Sequence, residues 1–325
     1  MRLTQRFYVV ILSCGVCAGA KLSAVRTYRA PFAPPLGAEN PSVIPSPPVS
    51  WRTRNLGVFL FSAIFFLLLA TLAPPPARAQ ASEAMLPEQS AAKAKDLIQK
   101  SIAALGGPAY LAVRDYSCAG RLATFSSQGD LNGYTRFLDL WILPDKNRTE
   151  YGKKQNLIDV LTATEGWTLD RGGVTDIPVS KVEDFQRQLK EDLDILLRNR
   201  LKEDGLVYRY SGRDIVDLKQ VEWVEIVDRE RRTFRIALDA SIHLPLRSIV
   251  TTRDPDTRER SASLTLYSNY QPNAGVQFPT QVVREVNGRR VYQAFYTDCT
   301  LNAGLSAGLF TRASLDERWV KLKKK

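Results

Sequence analysis

Hydrophobic and polar residues alternate along much of the second half of the chain. Phe234, Ile236 and Leu238 are separated by single polar or small residues, and Leu264 and Leu266 repeat the pattern. A period of two places successive side chains on opposite faces of a β-strand. One apolar and one polar face are typical of an antiparallel sheet with one solvated side. The alternation therefore predicts a long antiparallel sheet.

Further strand-like segments lie between residues 116 and 170, separated by glycine and proline. The longest run of strands covers residues 206–300, and Asn287-Gly288 within it is typical of a tight β-hairpin turn. In all, the pattern predicts roughly eleven strands.

Two segments instead repeat apolar residues at helical spacing. The first, residues 90–105, begins at Ser90 as a candidate cap and ends before Gly106-Gly107. The second, residues 180–203, interrupts the strands. We therefore predict an α+β fold, with a single curved antiparallel sheet and two main helices packed on its concave side. For the second helix, plain packing on the sheet and a lid over a cavity are both open.

The most apolar stretch of the chain has the features of an export signal. Two arginines precede the apolar run of residues 56–72, and three prolines and an Ala-Arg-Ala site follow it. These are the parts of a secretory signal peptide. We expect residues 52–79 to be a signal peptide, cleaved between Ala79 and Gln80. The alternative is a retained membrane anchor, because the run is nearly long enough to span a bilayer.

The signal peptide divides the chain into four parts. Residues 1–51 include a proline-rich linker, so we expect a disordered or non-native extension, with the true translation start close to the signal. Residues 52–79 are the signal peptide and residues 80–312 form one domain. Residues 313–325 are expected to be a frayed, basic C-terminal tail.

The charge of the chain argues against a nucleic-acid partner. The formal net charge is +11, but residues 1–79 contain eight basic residues and one acidic residue. The remainder has 37 basic and 33 acidic residues, a net charge of +4. A weakly basic body with mixed charges is typical of a solvated surface.

No catalytic constellation is found in the sequence. His243 is the only histidine and lies in a predicted turn, so any Ser-His-acid triad would depend on it. One histidine cannot form a histidine-rich metal site, and there is no calcium loop or Gly-rich phosphate loop. We therefore expect no enzyme activity, no metal and no other cofactor.

Cys118 and Cys299 are the only cysteines after the predicted cleavage site. An oxidising compartment would allow them to form a disulfide. They lie in the first and last predicted strands, so pairing requires those strands to be close. A disulfide and two separate thiols both remain open.

Several aromatic residues fall in predicted strands, among them Trp141, Trp167 and Trp223. Core packing is the default interpretation of such residues. The alternative is an incompletely closed barrel whose concave face holds an acyl chain.

A family resemblance favours the second interpretation. Residues 139–150 read as a strand ending at Pro144, with Arg148 shortly after it, and residues 156–170 add a strand and Gly166-Trp167. A long helix, strand pairs, residues 244–247, residues 275–279 and a final hairpin follow in order. Over most of residues 90–310, this layout resembles the LolA-type periplasmic lipoprotein carriers.

The resemblance implies an unclosed β-barrel whose helices cover a hydrophobic cavity that receives lipid chains. It implies no cofactor and no enzyme activity. The family's arginine before the proline, which helps to hold the covered state, is replaced here by Leu143. The family also has an aromatic residue or an arginine shortly after the proline. The aromatic position, three residues after Pro144, holds Asn147 here, and Arg148 matches only the arginine of that pattern.

We therefore expect a periplasmic protein that binds acyl chains or lipoproteins, with outer-membrane lipoprotein sorting as its role. The alternative is an envelope sensor or scaffold that binds a protein partner, such as an envelope membrane protein, rather than a lipid. The residues predicted to line the cavity are Trp141, Trp167, Ile236, Leu264 and Leu266.

Overall fold

Thirteen β-strands form one antiparallel sheet in the computed structural model, which describes residues 85–254 and 257–324. The strands are β1 (Asp115–Phe125), β2 (Leu131–Ile142), β3 (Lys146–Tyr151), β4 (Leu157–Leu161), β5 (Gly166–Asp170), β6 (Gly173–Asp176), β7 (Val207–Val216), β8 (Lys219–Val227), β9 (Thr233–Asp239), β10 (Pro245–Arg253), β11 (Arg260–Asn273), β12 (Val276–Val286) and β13 (Arg289–Leu301). The extension, the predicted signal peptide and its cleavage site at Ala79 and Gln80 lie outside the described residues.

Helical segments flank the strands at three places in the chain. They are α1 (Pro87–Leu105), α2 (Pro108–Leu111), α3 (Val179–Glu191), α4 (Leu193–Ile195), a π-helical turn (Leu196–Arg200), a 3₁₀ turn (Ala307–Phe310) and α5 (Arg312–Lys323). None of the helices within the described ranges is long and apolar enough to cross a bilayer.

The strand order brings the first and last strands together in the middle of the sheet. It runs β6-β5-β4-β3-β2-β1-β13-β12-β11-β10-β9-β8-β7, with all neighbours antiparallel. The two edges, β6 and β7, do not pair, so the sheet is not closed. The predicted α+β fold, an unclosed barrel with helices, is therefore confirmed.

The two unpaired edge strands are consecutive in the chain. Residues 177–206 join β6 to β7, and α3, α4 and the π-helical turn lie within them. We call residues 179–200 the bridging segment, because they connect the two edges that no hydrogen-bond ladder joins.

The strand register identifies two faces of the sheet. One row of neighbouring residues crosses six strands on the same face, because directly paired residues point to the same side. That row is Cys299, Cys118, Asp139, Thr149, Asp159 and Thr168. This is the inner face, which contacts α1 and the bridging segment; the opposite face is the outer face.

Helix α1 covers the inner face at the β7–β10 end of the sheet. Its apolar stripe, including Leu97, Ile98 and Ile102, packs with Phe234 and Ile236, all at most 7% exposed. The helix starts three residues before Ser90, which is not its cap. Instead, Ser90 Oγ accepts a hydrogen bond from the Tyr210 backbone N–H at 2.9 Å, which ties α1 to the edge strand β7.

The predicted helix over residues 180–203 is not continuous. Asp192 has extended backbone angles, φ −73° and ψ 129°, and its side chain accepts a hydrogen bond from Ile195 N at 3.0 Å. An aspartate in this role starts a new helix rather than continuing the old one. The bridging segment therefore bends at Asp192.

The C-terminal residues form a helix where a frayed tail is predicted. The side chain of Thr311 caps α5 by accepting from Ser314 N. Leu315, which is 0% exposed, packs with Phe310 against Leu140 and Leu169 on the outer face. The sheet therefore has helical cover on both faces, whereas the sequence predicts it on one.

Candidate functional site

A cavity of about 250 Å³ lies between the inner face and the bridging segment. Roughly 10–15 Å³ of comparable space holds one water molecule, so this is no small packing defect. Strands β1–β4 and β10–β13 and the bridging segment contribute most of its wall, and α1, α2 and the loops beside β1 and β2 add Leu105, Tyr110, Val113 and Leu143. Apolar lining residues include Leu105, Val113, Leu122, Leu143, Leu161, Leu189, Leu193, Leu197, Val276, Val282 and Leu301.

The wall is unusually rich in aromatic side chains. Seven of the twelve tyrosines line it, together with three phenylalanines and one tryptophan. They are Tyr110, Tyr116, Tyr151, Tyr267, Tyr270, Tyr292, Tyr296, Phe137, Phe185, Phe278 and Trp141. Burial raises the pKa of several of these phenols, including Tyr116 and Tyr267, so they remain neutral hydrogen-bonding groups near neutral pH.

Asp139 accepts hydrogen bonds from four side chains of the cavity wall. Asn147 Nδ2 and Thr149 Oγ1 donate to its Oδ1 at 2.8 and 3.3 Å. Trp141 Nε1 and the Tyr296 hydroxyl donate to its Oδ2 at 3.2 and 3.4 Å. Burial raises the pKa of Asp139 to about 6, although these hydrogen bonds oppose the rise.

Two further carboxyl groups in the wall behave similarly. Asp159 accepts from the Thr168 hydroxyl at 2.6 Å, and burial raises its pKa to about 6. Burial, followed by the nearby charge of Asp194, raises the pKa of Asp192 to about 6 as well. The cavity therefore combines an aromatic wall with carboxyl groups that are costly to ionise.

The bridging segment is fixed to α2 at one end of the cavity. The Tyr110 hydroxyl donates to Asp194 Oδ1 at 2.6 Å, and Arg198 Nε donates to Asp194 Oδ2 at 2.6 Å. The Arg198 guanidinium also donates to the Tyr110 carbonyl and lies 3.7 Å from the centre of its ring.

A buried ion pair holds the end of α3 to the sheet. Arg284 Nη2, on β12, lies 3.3 Å from Glu191 Oε2, and both side chains are less than 10% exposed. Ser263 on β11 donates to the same carboxylate oxygen at 3.0 Å. The bridging segment thus contacts the middle of the sheet as well as its edges.

The residues predicted to line the cavity lie in three different environments. Trp141 lies in the cavity wall. Ile236 lies on the inner face but is covered by α1. Trp167 packs with the C-terminal helix on the outer face. Leu264 and Leu266 also point outward, since Leu264 pairs with Ile249, which packs with Trp223 and Ala237 on the outer face. The assignment of Trp167, Leu264 and Leu266 is corrected accordingly, because alternation separates two faces without identifying the inner one.

Arg148, which matches the arginine that the family has after its proline, is also on the outer face. It pairs with Glu150 at 2.8 Å and donates to the Leu309 carbonyl at 2.9 Å and the Ser314 hydroxyl at 3.1 Å. Its role is to hold the C-terminal segment. Leu143, in contrast, lines the cavity.

The polar residues of the wall are those that sequence reasoning misses. Asp139, Thr149 and Asp159 lie on the inner face of β2, β3 and β4, where alternation predicts apolar side chains. For Asp139 and Thr149 the signal is their spacing from Trp141 and Tyr151, because residues two apart on a strand share a face. Asp159 has the same relation to Leu161.

The Cys118 and Cys299 side chains are joined as a disulfide between β1 and β13. The two strands are direct neighbours, which is the condition that pairing requires. His243 lies in the turn between β9 and β10, where its backbone N–H donates to the Asp239 carbonyl. Within the described ranges, no cluster of three or more histidine, cysteine or carboxylate residues is arranged to hold a metal ion.

Comparison with known proteins gives neighbours only at the level of structure. No protein-family model matches the chain, and no curated protein matches its sequence. The chain is similar to an outer membrane lipoprotein-sorting protein domain from Vibrio parahaemolyticus, with 12% identity and a TM-score of 0.47, covering 70% of this chain and 99% of that one.

Two other solved structures are similar in the same way. A LolA superfamily protein from Nitrosomonas europaea has 13% identity and a TM-score of 0.43, covering 68% of this chain and 99% of its own. The Mycobacterium tuberculosis lipoprotein LppX has 9% identity and a TM-score of 0.27, covering 66% and 95%. The neighbours include LolA-like proteins, as the resemblance in the sequence predicts. Because the TM-scores are below 0.5, the fold stands on this chain's own strand order and register.

Proposed function

We propose that this chain is an exported, periplasmic binding protein whose cavity holds the acyl chain of a lipid or lipoprotein. Outer-membrane lipoproteins are the cargo class that we propose for it. The single observation that carries the proposal is the 250 Å³ cavity between the inner face and the bridging segment. The aliphatic and aromatic side chains of the wall gain free energy when an apolar ligand displaces water from them.

The form of the sheet supports the same function. The bridging segment forms one side of the cavity and joins the two unpaired edge strands. Its displacement would admit a long chain without breaking strand pairing. The absence of a catalytic constellation in the sequence is consistent with binding rather than turnover.

The experiment is native mass spectrometry of residues 80–325 after periplasmic expression. We expect discrete lipid-sized adducts that solvent extraction releases and identifies as phospholipid or acylated species. The variant Val282→Trp places a large side chain in the cavity and should abolish the adducts.

The matched control is Val207→Trp on the edge strand β7, where the side chain is 56% exposed. This variant should retain the adducts. A clean apo mass for the unmodified protein, with no uptake of added lipid or acylated peptide, would contradict the carrier function. The envelope sensor or scaffold that binds a protein partner would then be the better proposal.

A further inference from the structure

The charges in the cavity wall do not balance. Four aspartates and two arginines line it. Arg198 is paired with Asp194, and Arg284 is paired with Glu191. Among the described residues, no lysine or arginine forms a salt bridge with Asp139, Asp159 or Asp192. Asp139 and Asp159 therefore have no cationic partner in that part of the chain, and the charge of Arg284 acts on Asp192 only from beyond salt-bridge distance.

Asp139 is held by neutral donors alone. The side chains of Asn147, Thr149, Trp141 and Tyr296 donate to it with amide, hydroxyl and indole groups. Such donors fix the orientation of a carboxylate without cancelling its charge. A cation entering the cavity would find an ordered negative group, whereas an anion would be repelled.

Aromatic rings form a continuous wall beside this carboxyl. Ring centroids of Tyr116 and Trp141 are 6.3 Å apart, and those of Tyr116 and Phe278 are 6.2 Å apart. The series continues from Phe278 to Tyr296 at 5.6 Å and from Tyr296 to Phe137 at 5.5 Å. Aromatic faces carry negative charge density and attract ammonium groups, most strongly where water is excluded.

A cavity that served only an acyl chain would need neither feature. Aliphatic side chains bury an alkyl chain without enclosing hydroxyl and carboxyl groups, which cost free energy when they lose water. Tyrosine faces beside a carboxylate are instead a common means of binding an organic cation.

We propose that the ligand of the cavity carries a cationic head, an amine or quaternary ammonium, which binds against Asp139 and the rings of Tyr116, Trp141 and Tyr296. This inference rests on the proposed function, because it specifies the head group of the apolar ligand that the cavity holds. The tail lies along the aliphatic part of the wall, which includes Leu143.

Three probes with one tail and different heads test the inference. They are dodecyltrimethylammonium, dodecyl maltoside and dodecyl sulfate, each titrated calorimetrically into residues 80–325 below its micelle concentration. We expect the Kd of the ammonium probe to be at least about tenfold lower than that of the maltoside, because a desolvated cation gains free energy from the aromatic faces and the carboxylate. The sulfate should bind most weakly.

Two variants assign the preference to the named groups. Asp139→Asn removes the charge at almost constant size, and Tyr116→Leu removes one ring without touching the carboxyl. Each should reduce the preference for ammonium over maltoside while leaving maltoside binding in place, which also shows that the variant is folded. The control Asp204→Asn, whose side chain is 91% exposed, should change neither affinity.

The outcomes separate this inference from the proposed function. Equal binding of all three probes would overturn the cationic head and leave an acyl-binding cavity. Tightest binding of the sulfate would also overturn it and would point to Arg198 and Arg284. Binding of none of the probes, with no adducts in native mass spectrometry, would overturn both proposals.

Discussion

Single buried carboxyl groups set much of the character of this cavity. Asp159 is 4% exposed, and Thr168 and Tyr151 donate to it. Burial penalises its ionised form, so the folded protein retains a proton that the unfolded chain releases. The same cause acts on Asp139. These groups link folding stability to pH.

The pH dependence at Asp159 has a definite sign. Its folded pKa, about 6, is above the ordinary 3.8, so its favourable contribution is complete below pH 3.8 and is lost as pH rises through 6. This change corresponds to at most about 3 kcal/mol. In urea unfolding from pH 4 to 7.5, the stability of the unmodified protein relative to Asp159→Asn should therefore fall.

The exposed variant Asp204→Asn serves as the control for that measurement. Its stability should follow the unmodified protein at every pH, because its side chain is 91% exposed. Parallel curves for Asp159→Asn and the unmodified protein would contradict a raised pKa at Asp159.

At this scale, the sequence predicts apolar positions better than polar ones. Trp141 could be placed in the wall because aromatic strand residues are candidates for any cavity. Asp139 shares a strand face with Trp141, but its hydrogen-bonding environment could not be predicted, since two of its donors come from β3 and one from β13, which are far apart in sequence. Trp167 and Leu264 have the same alternation as inner residues but face outward.

At the scale of elements, the bridging segment depends on the buried pair Glu191–Arg284. Breaking such a pair leaves an uncompensated charge in the interior. We expect Arg284→Met to lower the free energy of unfolding by about 3 kcal/mol. The double variant Glu191→Gln/Arg284→Met should be less destabilised than the sum of the single variants, as measured by chemical denaturation.

A surface pair that involves the adjacent helix residue, Lys190, provides the control. Lys190 and Glu230 lie 3.2 Å apart, but their side chains are 51% and 57% exposed. Lys190→Met should therefore cost less than about 1 kcal/mol. Equal losses for Lys190→Met and Arg284→Met would show that the buried pair does not hold the segment.

Helix positions follow from apolar periodicity, whereas breaks and outer helices do not. The break at Asp192 arises from one side-chain cap, which the periodic pattern of residues 180–203 conceals. Helix α5 is rich in charged residues, and its apolar stripe is short: Leu315, Trp319 and Leu322 pack on the outer face. The sequence of so charged a segment resembles a solvated tail until the outer face of the sheet is known.

At the scale of the whole molecule, the first and last strands meet at the centre of the sheet. Hairpins such as the one at Asn287-Gly288 can be predicted from local sequence, because the turn and its strands are adjacent. The pairing of β1 with β13 joins residues separated by 181 positions at the disulfide, so local patterns do not predict it.

The disulfide should contribute strongly to stability because it closes such a long loop. The chain-entropy model gives an upper value of about 5 kcal/mol for a loop of this size. We expect Cys118→Ser/Cys299→Ser to unfold at lower guanidinium concentration. Reductant should destabilise the unmodified protein equally and leave the variant unchanged. If a thiol reagent labels both cysteines in protein that is unfolded without reductant, the Cys118–Cys299 disulfide is absent.

The disulfide also closes residues 118–299, which contain most of the sheet, into a covalent ring. From Cys118 the chain passes through one half of the sheet, crosses the bridging segment and returns through the other half to Cys299. A single protease cut within the bridging segment would open this ring without dividing the protein. The disulfide would hold the two fragments together until it is reduced. The bridging segment can therefore be cleaved while β1 and β13 stay paired and covalently joined.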